Sequence, residues 1–402
     1  MPKPKNGALM IFFGALMTMF LGVIYAWTMF RVEIAKVFPG LTAAQLSLNF
    51  TITMICFCLG GFLGGRLSAK KSQSVSARVS AFMLLAGFMG VSFMGSVPPG
   101  AALSVMYICY GALSGLGVGI GYNACISAVS PWFPEKLGLV SGVLLMGFGF
   151  GSLLLGLLAQ SLAASIGVFW VFRIYAAAIF AVLFTGSFFI RKPPAAQGNR
   201  TCGDGHSLTP GQMLSRPSFW VYFLWNTVMS SAGQLVINSA SGIAVFFGAA
   251  AGFGLVVSIF NGAGRPLTGA VMDKAGRSRG MLIMNICLIA AAAMLLGADA
   301  SENRALVIGG MLIVGVCYGG GVTISAKVIN DLYGPEHYAV NFSLSNFCAI
   351  PAAFIGPLLS GVLQDRAGGA YGSTFIMLLI MAVIALAALF VLERLIKREG
   401  RA

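Results

Sequence analysis

Arg265 is the residue in this sequence with the clearest chemical consequence. It stands inside IFNGAGRPLTGAVMDKAGRSRG (259–280), a stretch that is mostly apolar or glycine around it. Ser258, Asn261, Arg265 and Thr268 recur at i, i+3, i+7 and i+10, which on a helix makes one polar stripe. A guanidinium cannot shed its proton, and placing a cation at the centre of a bilayer costs at least ~2.5–3.5 kcal/mol. The usual remedy is an acidic neighbour. All eleven acidic residues (Glu33, Glu135, Asp204, Asp273, Asp299, Glu302, Asp331, Glu336, Asp365, Glu393 and Glu399) instead fall in polar loops or at the ends of apolar stretches. The guanidinium fork matches a carboxylate, and at ~4 Å with an effective dielectric near ~20 that pairing is worth about 4 kcal/mol. The chemistry implied is reversible binding of a small carboxylate in a water-accessible cavity. Two structural readings compete with it. Arg265 can snorkel toward the surface near Asp273, roughly 12 Å further along the helix, or bond backbone carbonyls at a helix break before Pro266.

The elements that must hold such a residue follow from composition. The 402 residues are 58% hydrophobic and 9% charged, with mean hydropathy +0.90. Single soluble cores stop growing near ~250–300 residues, so the chain reads as an all-α polytopic membrane protein. Apolar segments long enough to span a bilayer can be placed twelve times: 8–30, 44–67, 79–97, 101–129, 138–163, 168–190, 218–244, 250–272, 280–298, 305–327, 338–363 and 372–392. The N-terminal apolar stretch runs to Phe30, too long for a signal peptide, and is read as a retained helix. The Pro-, Gly- and charge-rich stretch 191–217 is read as a cytoplasmic linker between six-helix halves at 1–190 and 218–402.

An even number of spans puts both termini on one side. Most of the 25 Lys and Arg share that side. Arg31, Lys36, Arg173, Arg304 and Arg366 lie opposite, and Arg265 on neither. The positive-inside rule makes the termini and linker cytoplasmic. The net charge of +14 is therefore a topology signal, and no nucleic-acid role is expected. The eight cysteines form no CxxC pair; Cys202 and the histidines, His206 and His337, fall in loops, so no metal or other cofactor is expected. An intramembrane enzyme needs an acid/base pair, nucleophile or metal, and no His, Asp or Glu lies in the spans to serve. GALSGLGVGIGYN (111–123) lacks the strand and Lys-Ser/Thr of a nucleotide loop; its glycines are expected to let spans four and five approach and slide.

The halves echo each other. PWFPEKLGLVSG (131–142) follows span four as LYGPEHYAVNFS (332–343) follows span ten, and GFLGGRLSAKK (61–71) follows span two as GAVMDKAGRSR (269–279) follows span eight. Parallel repeats of this kind imply a binding site near mid-membrane between halves. GAVMDKAGR also resembles the G-x-x-x-D-[RK]-x-G-R loop of the major facilitator superfamily. Its Asp273, Lys274, Gly276 and Arg277 are then expected to latch the halves in one state, while the first copy has Gly65 in place of Asp, followed by Arg66. GVIYAWTMF, GVGIGYN…WFPEKLGLVSG, LTPGQMLSRPSFW and NGAGRPLTGAVMDK resemble the oxalate/formate antiporter family, a neighbour of the monocarboxylate transporters, along nearly the whole chain.

That resemblance implies the major facilitator fold and makes Arg265 a substrate-binding arginine. Tyr25 and Tyr122 match pocket tyrosines of the family, and Tyr318 and Asn346 stand where relatives have pocket tryptophans. Asn261 replaces an Asp of animal-type relatives, so it can bond substrate and cannot carry a proton. Ala349 stands where oxalate carriers have a second cation, and Phe148 where they have Tyr. Lys327 is the other candidate cation, with pairing to Asp331 at i+4 as its simpler role. Gln234 and Asn238 either line the cavity or join helices. The expected function is secondary transport of a small monocarboxylate, coupled to a proton or a counter-anion, by a monomer in the cell membrane. An oxalate or other dicarboxylate antiporter, and a transporter-like sensor without flux, are the alternatives.

Overall fold

The computed structural model describes residues 7–191, 207–237, 239–249, 253–367 and 370–400. Asn238, Cys202, Asp204, His206 and most of the expected linker lie outside them. Every regular element among the described residues is a helix. In chain order these are α1 (Gly7–Leu21), α2 (Trp27–Val37), α3 (Ala43–Lys70), α4 (Gln73–Ser92), α5 (Pro99–Val105), α6 (Gly115–Val129), α7 (Leu137–Ile166), α8 (Val168–Gly186), α9 (Pro210–Leu214), α10 (Pro217–Ile237), α11 (Ala240–Phe246), α12 (Phe253–Ala275), α13 (Arg277–Ser301), α14 (Arg304–Tyr333), α15 (Tyr338–Ser345), α16 (Ala349–Arg366) and α17 (Gly372–Arg398). The described residues are thus those of an all-α polytopic membrane protein.

Helix starts follow local chemistry. Thr42 and Gln45 form a reciprocal capping box ahead of α3, and Ser72 caps α4 through Val75 N. Spans three and four are separated where the sequence places Pro98-Pro99-Gly100, with Pro99 opening α5. Among the described residues, ten stretches are long and apolar enough to cross a membrane. α10 and α12 are not among these ten, because Asn226 and Gln234 on one and Asn261, Arg265 and Pro266 on the other dilute their hydropathy.

Among the described residues, spans one, four and eleven pass through turns that are not α-helical. A 3-10 turn, Gly22–Ala26, joins α1 to α2; a π-helical stretch, Met106–Ser114, joins α5 to α6; and a second 3-10 turn, Asn346–Cys348, joins α15 to α16. Such interruptions re-aim side chains and free backbone groups, and they concentrate at functional sites.

The chain forms two compact units. The first comprises Met1–Pro134 and Gly147–Asn199, the second Glu135–Met146 and Arg200–Ala402, so α7 begins in the second and continues in the first. In the first unit, the glycine run at 111–123 packs differently from expectation. Gly111, Gly115 and Gly119 lie against Asn49, Thr53 and Phe57 of α3, and Gly117 against α4. Its small residues therefore serve spans two and three, not span five, since the glycine face of α6 is the one turned to α3. In the second unit, Trp225 Nε1 donates to Asn285 Oδ1 at 2.8 Å, and Asn285 Nδ2 donates to Ala382 O at 2.9 Å. This ties α10, α13 and α17 through one fully buried amide. Asn285→Leu leaves the buried indole N–H of Trp225 unmatched, and is expected to cost about 1–2 kcal/mol. Thermal unfolding in detergent checks this as a midpoint several degrees lower.

Candidate functional site

In the second unit Arg265 sits midway along α12, which continues through Pro266 without a break. The side chain is 7% exposed, and its Nη1 donates to the carbonyl of Leu145 near the start of α7. Burial excludes the snorkelled arrangement. The carbonyl contact is realised, though with a neighbouring helix and not at a break in its own. That contact depends on small residues: a Cβ on Gly142 would stand 2.5 Å from Arg265 O and 2.6 Å from Pro266 Cα. The sequence gives no hint of Leu145, because a backbone acceptor carries no residue signature.

Around Arg265 the polar stripe divides. Ser258 is exposed. Asn261 Oδ1 is buried against Gly319 of α14, with no hydrogen-bond partner among the described residues. Thr268 is buried and donates to Met284 Sδ at 3.5 Å. Tyr318 of α14 lies beside the Gln234 side chain and within electrostatic reach of Arg265. Its ring packs on Gly233, where a Cβ would approach to 2.6 Å. The second unit thus gathers Arg265, Tyr318 and Gln234, while Asn346 opens the 3-10 turn of span eleven.

A further polar cluster was not singled out by sequence. Tyr222 Oη donates to Ser325 Oγ at 2.7 Å, and Asn226 Nδ2 reaches Ser325 Oγ at 2.8 Å and Cys348 Sγ at 3.0 Å. The signal available was the i, i+4 spacing of Tyr222 and Asn226, which puts both on one face of α10.

The loop motif is built as a junction. Asp273 accepts from Gly138 N at 3.0 Å and Leu139 N at 2.8 Å, the unpaired first-turn amides of α7. Lys327 Nζ lies 3.4 Å from Asp273 Oδ1 and 3.7 Å from Asp331 Oδ2. The Asp331 pairing expected from spacing is present, and Asp273 is an added partner. Arg277 pairs with Glu393 of α17 at 3.5 Å. Gly276 has φ +82, a left-handed conformation that lets α12 turn sharply into α13. Lys274 is exposed.

In the first unit, Tyr25 lies in the 3-10 turn of span one. That turn is held by Tyr110 Oη, which donates to Val23 O at 3.4 Å and Ile24 O at 3.3 Å. Trp27 Nε1 fixes the following residues through Leu46 O at 3.0 Å. Tyr25 meets Phe148 edge-on with centroids 5.5 Å apart, and Tyr122 meets the same ring at 5.1 Å. Phe57 closes the group, 5.3 Å from Tyr122. Phe148 thus joins the two tyrosines into one aromatic wall. Two hydroxyl-bearing rings about an apolar one can hold a small molecule with a polar head and an apolar body.

Comparison with known proteins agrees with this architecture. A family model described as the Major Facilitator Superfamily matches residues 7–349 and 236–401. The chain is 28% identical over 389 residues to the oxalate:formate antiporter of Oxalobacter formigenes, covering 94% of this chain and 90% of that protein. It is 23% identical over 345 residues to human monocarboxylate transporter 10, covering 81% of this chain and 65% of the relative. Among solved structures, the proton:xylose symporter XylE aligns with TM-score 0.74 at 15% identity, over 96% of this chain and 95% of that one. At that identity the likeness is one of fold.

Proposed function

The chain belongs to the Major Facilitator Superfamily, and on that premise we propose that it carries a small monocarboxylate such as lactate, pyruvate or formate across the membrane by alternating access. The observation that carries the reading is the buried guanidinium of Arg265 on α12, grouped with Tyr318 and Gln234. Arg265 binds the carboxylate, and Tyr318 and Asn261 offer hydrogen bonds beside it. Tyr25, Tyr122 and Asn346 contribute the remaining polar and aromatic contacts. Asp273, Lys274, Gly276 and Arg277 govern the change of state.

One pocket cation suits a monoanion. Lys327, the other candidate, is engaged with Asp273 and Asp331 at the end of its helix, which favours a monocarboxylate over oxalate. Net uptake of a lone anion into a negative interior works against about 2.3 kcal/mol per 100 mV, so uptake calls for a proton, a counter-anion or a steep gradient, whereas export does not. The setting is the plasma membrane, with both termini cytoplasmic and the protein acting as a monomer.

Counterflow into proteoliposomes preloaded with lactate, pyruvate, formate or oxalate tests this reading. Accumulation of labelled monocarboxylate above that of oxalate is expected. Accumulation of oxalate alone rejects the monoanion, failure of all four rejects carboxylate carriage, and binding without counterflow indicates a sensor.

A further inference from the structure

Asn226 is 3% exposed, and its carboxamide is half served. Nδ2 donates to Ser325 Oγ and Cys348 Sγ, while Oδ1 has no hydrogen-bond partner among the described residues. Ser325 is already engaged. Its own proton goes to Gly321 O at 3.2 Å, and its oxygen already accepts from Tyr222. The edge of Asn226 facing Ser325 is therefore the donor edge, and the oxygen faces away from it. A buried acceptor left without a donor costs on the order of 1–3 kcal/mol.

Space for a donor exists beside it. A Cβ built on buried Gly321 would meet only Asn226 Oδ1, at 3.7 Å. Its neighbours on α14 differ: a Cβ on Gly319 would collide with Asn261, and one on Gly320 with Thr268. Helix packing therefore explains glycine at 319 and 320 and leaves 321 over. At 321 the missing side chain opens a notch of methyl or hydroxyl size, with one carbonyl oxygen in its wall. The notch lies one turn along α14 from Tyr318, and Asn226 itself bonds Cys348, which closes the 3-10 turn that Asn346 opens. It therefore neighbours Tyr318 and Asn346, two of the residues assigned to the anion.

We propose that this notch takes the hydroxyl of the carried anion, so that the protein prefers a 2-hydroxy acid to the 2-oxo acid of equal length. A 2-hydroxyl gives Oδ1 the hydrogen it lacks. A 2-oxo group sets one acceptor against another, and an unsubstituted acid leaves the oxygen unserved. The inference rests on the carboxylate reading above. A bound water offers the same O–H donor, and the competing acids separate the two sources.

The test is competition by lactate, pyruvate and propionate, read as ligand-induced thermal stabilisation of the purified full chain. Wild type is expected to favour lactate by about 10-fold or more over both others. Gly321→Ala, a mild change in a helix, fills the notch and is expected to bring lactate and pyruvate within about 2-fold of each other. Equal affinity in wild type, a preference for pyruvate, or a lactate preference that survives Gly321→Ala overturns the hydroxyl site; the oxygen then holds water. Stabilisation by none of the three contradicts carboxylate binding itself, and the hydroxyl site falls with it.

Discussion

Arg265→Ala is expected to abolish carboxylate counterflow, and Arg265→Lys to retain no more than a few per cent. At ~4 Å and an effective dielectric near ~20, removing the charge forfeits about 4 kcal/mol of attraction to the anion, close to a thousandfold in affinity. Lysine keeps the charge and loses the fork. Its ammonium is a point donor on a flexible stem, without the paired N–H geometry that matches both carboxylate oxygens. It also loses the reach by which Nη1 engages Leu145 O. Counterflow at saturating and limiting substrate separates the effects, since a lost binding contact raises KM most. Either variant transporting at the wild-type rate removes Arg265 from the mechanism.

The second large effect is at Asp273. Asp273→Asn is expected to slow transport by about 10- to 100-fold while affinity for the anion changes little. The carboxylate accepts from Gly138 N and Leu139 N together and adds charge at the positive end of α7. Hydrogen bonds to a charged acceptor contribute about 1.5–3 kcal/mol each. An amide keeps one of them, turns an N–H₂ toward the other amide, and leaves Lys327 with Asp331 alone. We propose that this junction is made and broken in each cycle. Losing about 2 kcal/mol from one of two states shifts their ratio roughly 30-fold. Initial rates against KM for Asp273→Asn check it; a matching loss of affinity would assign Asp273 to binding instead.

The fold class was readable because bilayer thickness imposes a length and polarity that composition reports directly. Even α10 and α12, the least apolar of the twelve, keep the length. The arginine was readable for a related reason, as an ionised side chain within a span has few explanations. Tyr25 and Tyr122 came from resemblance alone, and Phe148 turned out to be the ring that joins them. What sequence did not disclose lies in backbone and voids. The 3-10 turn beneath Tyr25, the Tyr110 hydroxyl that holds it, and the Leu145 carbonyl have no pattern in residue types. The glycine run at 111–123 showed close packing without naming its partner, because every face of a glycine-rich helix looks alike until its neighbour is known. Thr268 shared the spacing of Arg265 and is spent on packing against α13 and α14.

The central claim is that a buried guanidinium recognises a negative charge. Calorimetric titration of the purified protein with lactate and with lactamide, its neutral amide of nearly the same shape, tests this most directly. The account predicts binding of lactate and at least a hundredfold weaker binding of lactamide, on the order of the ~3 kcal/mol that a charged partner adds. Equal binding of the two would contradict it.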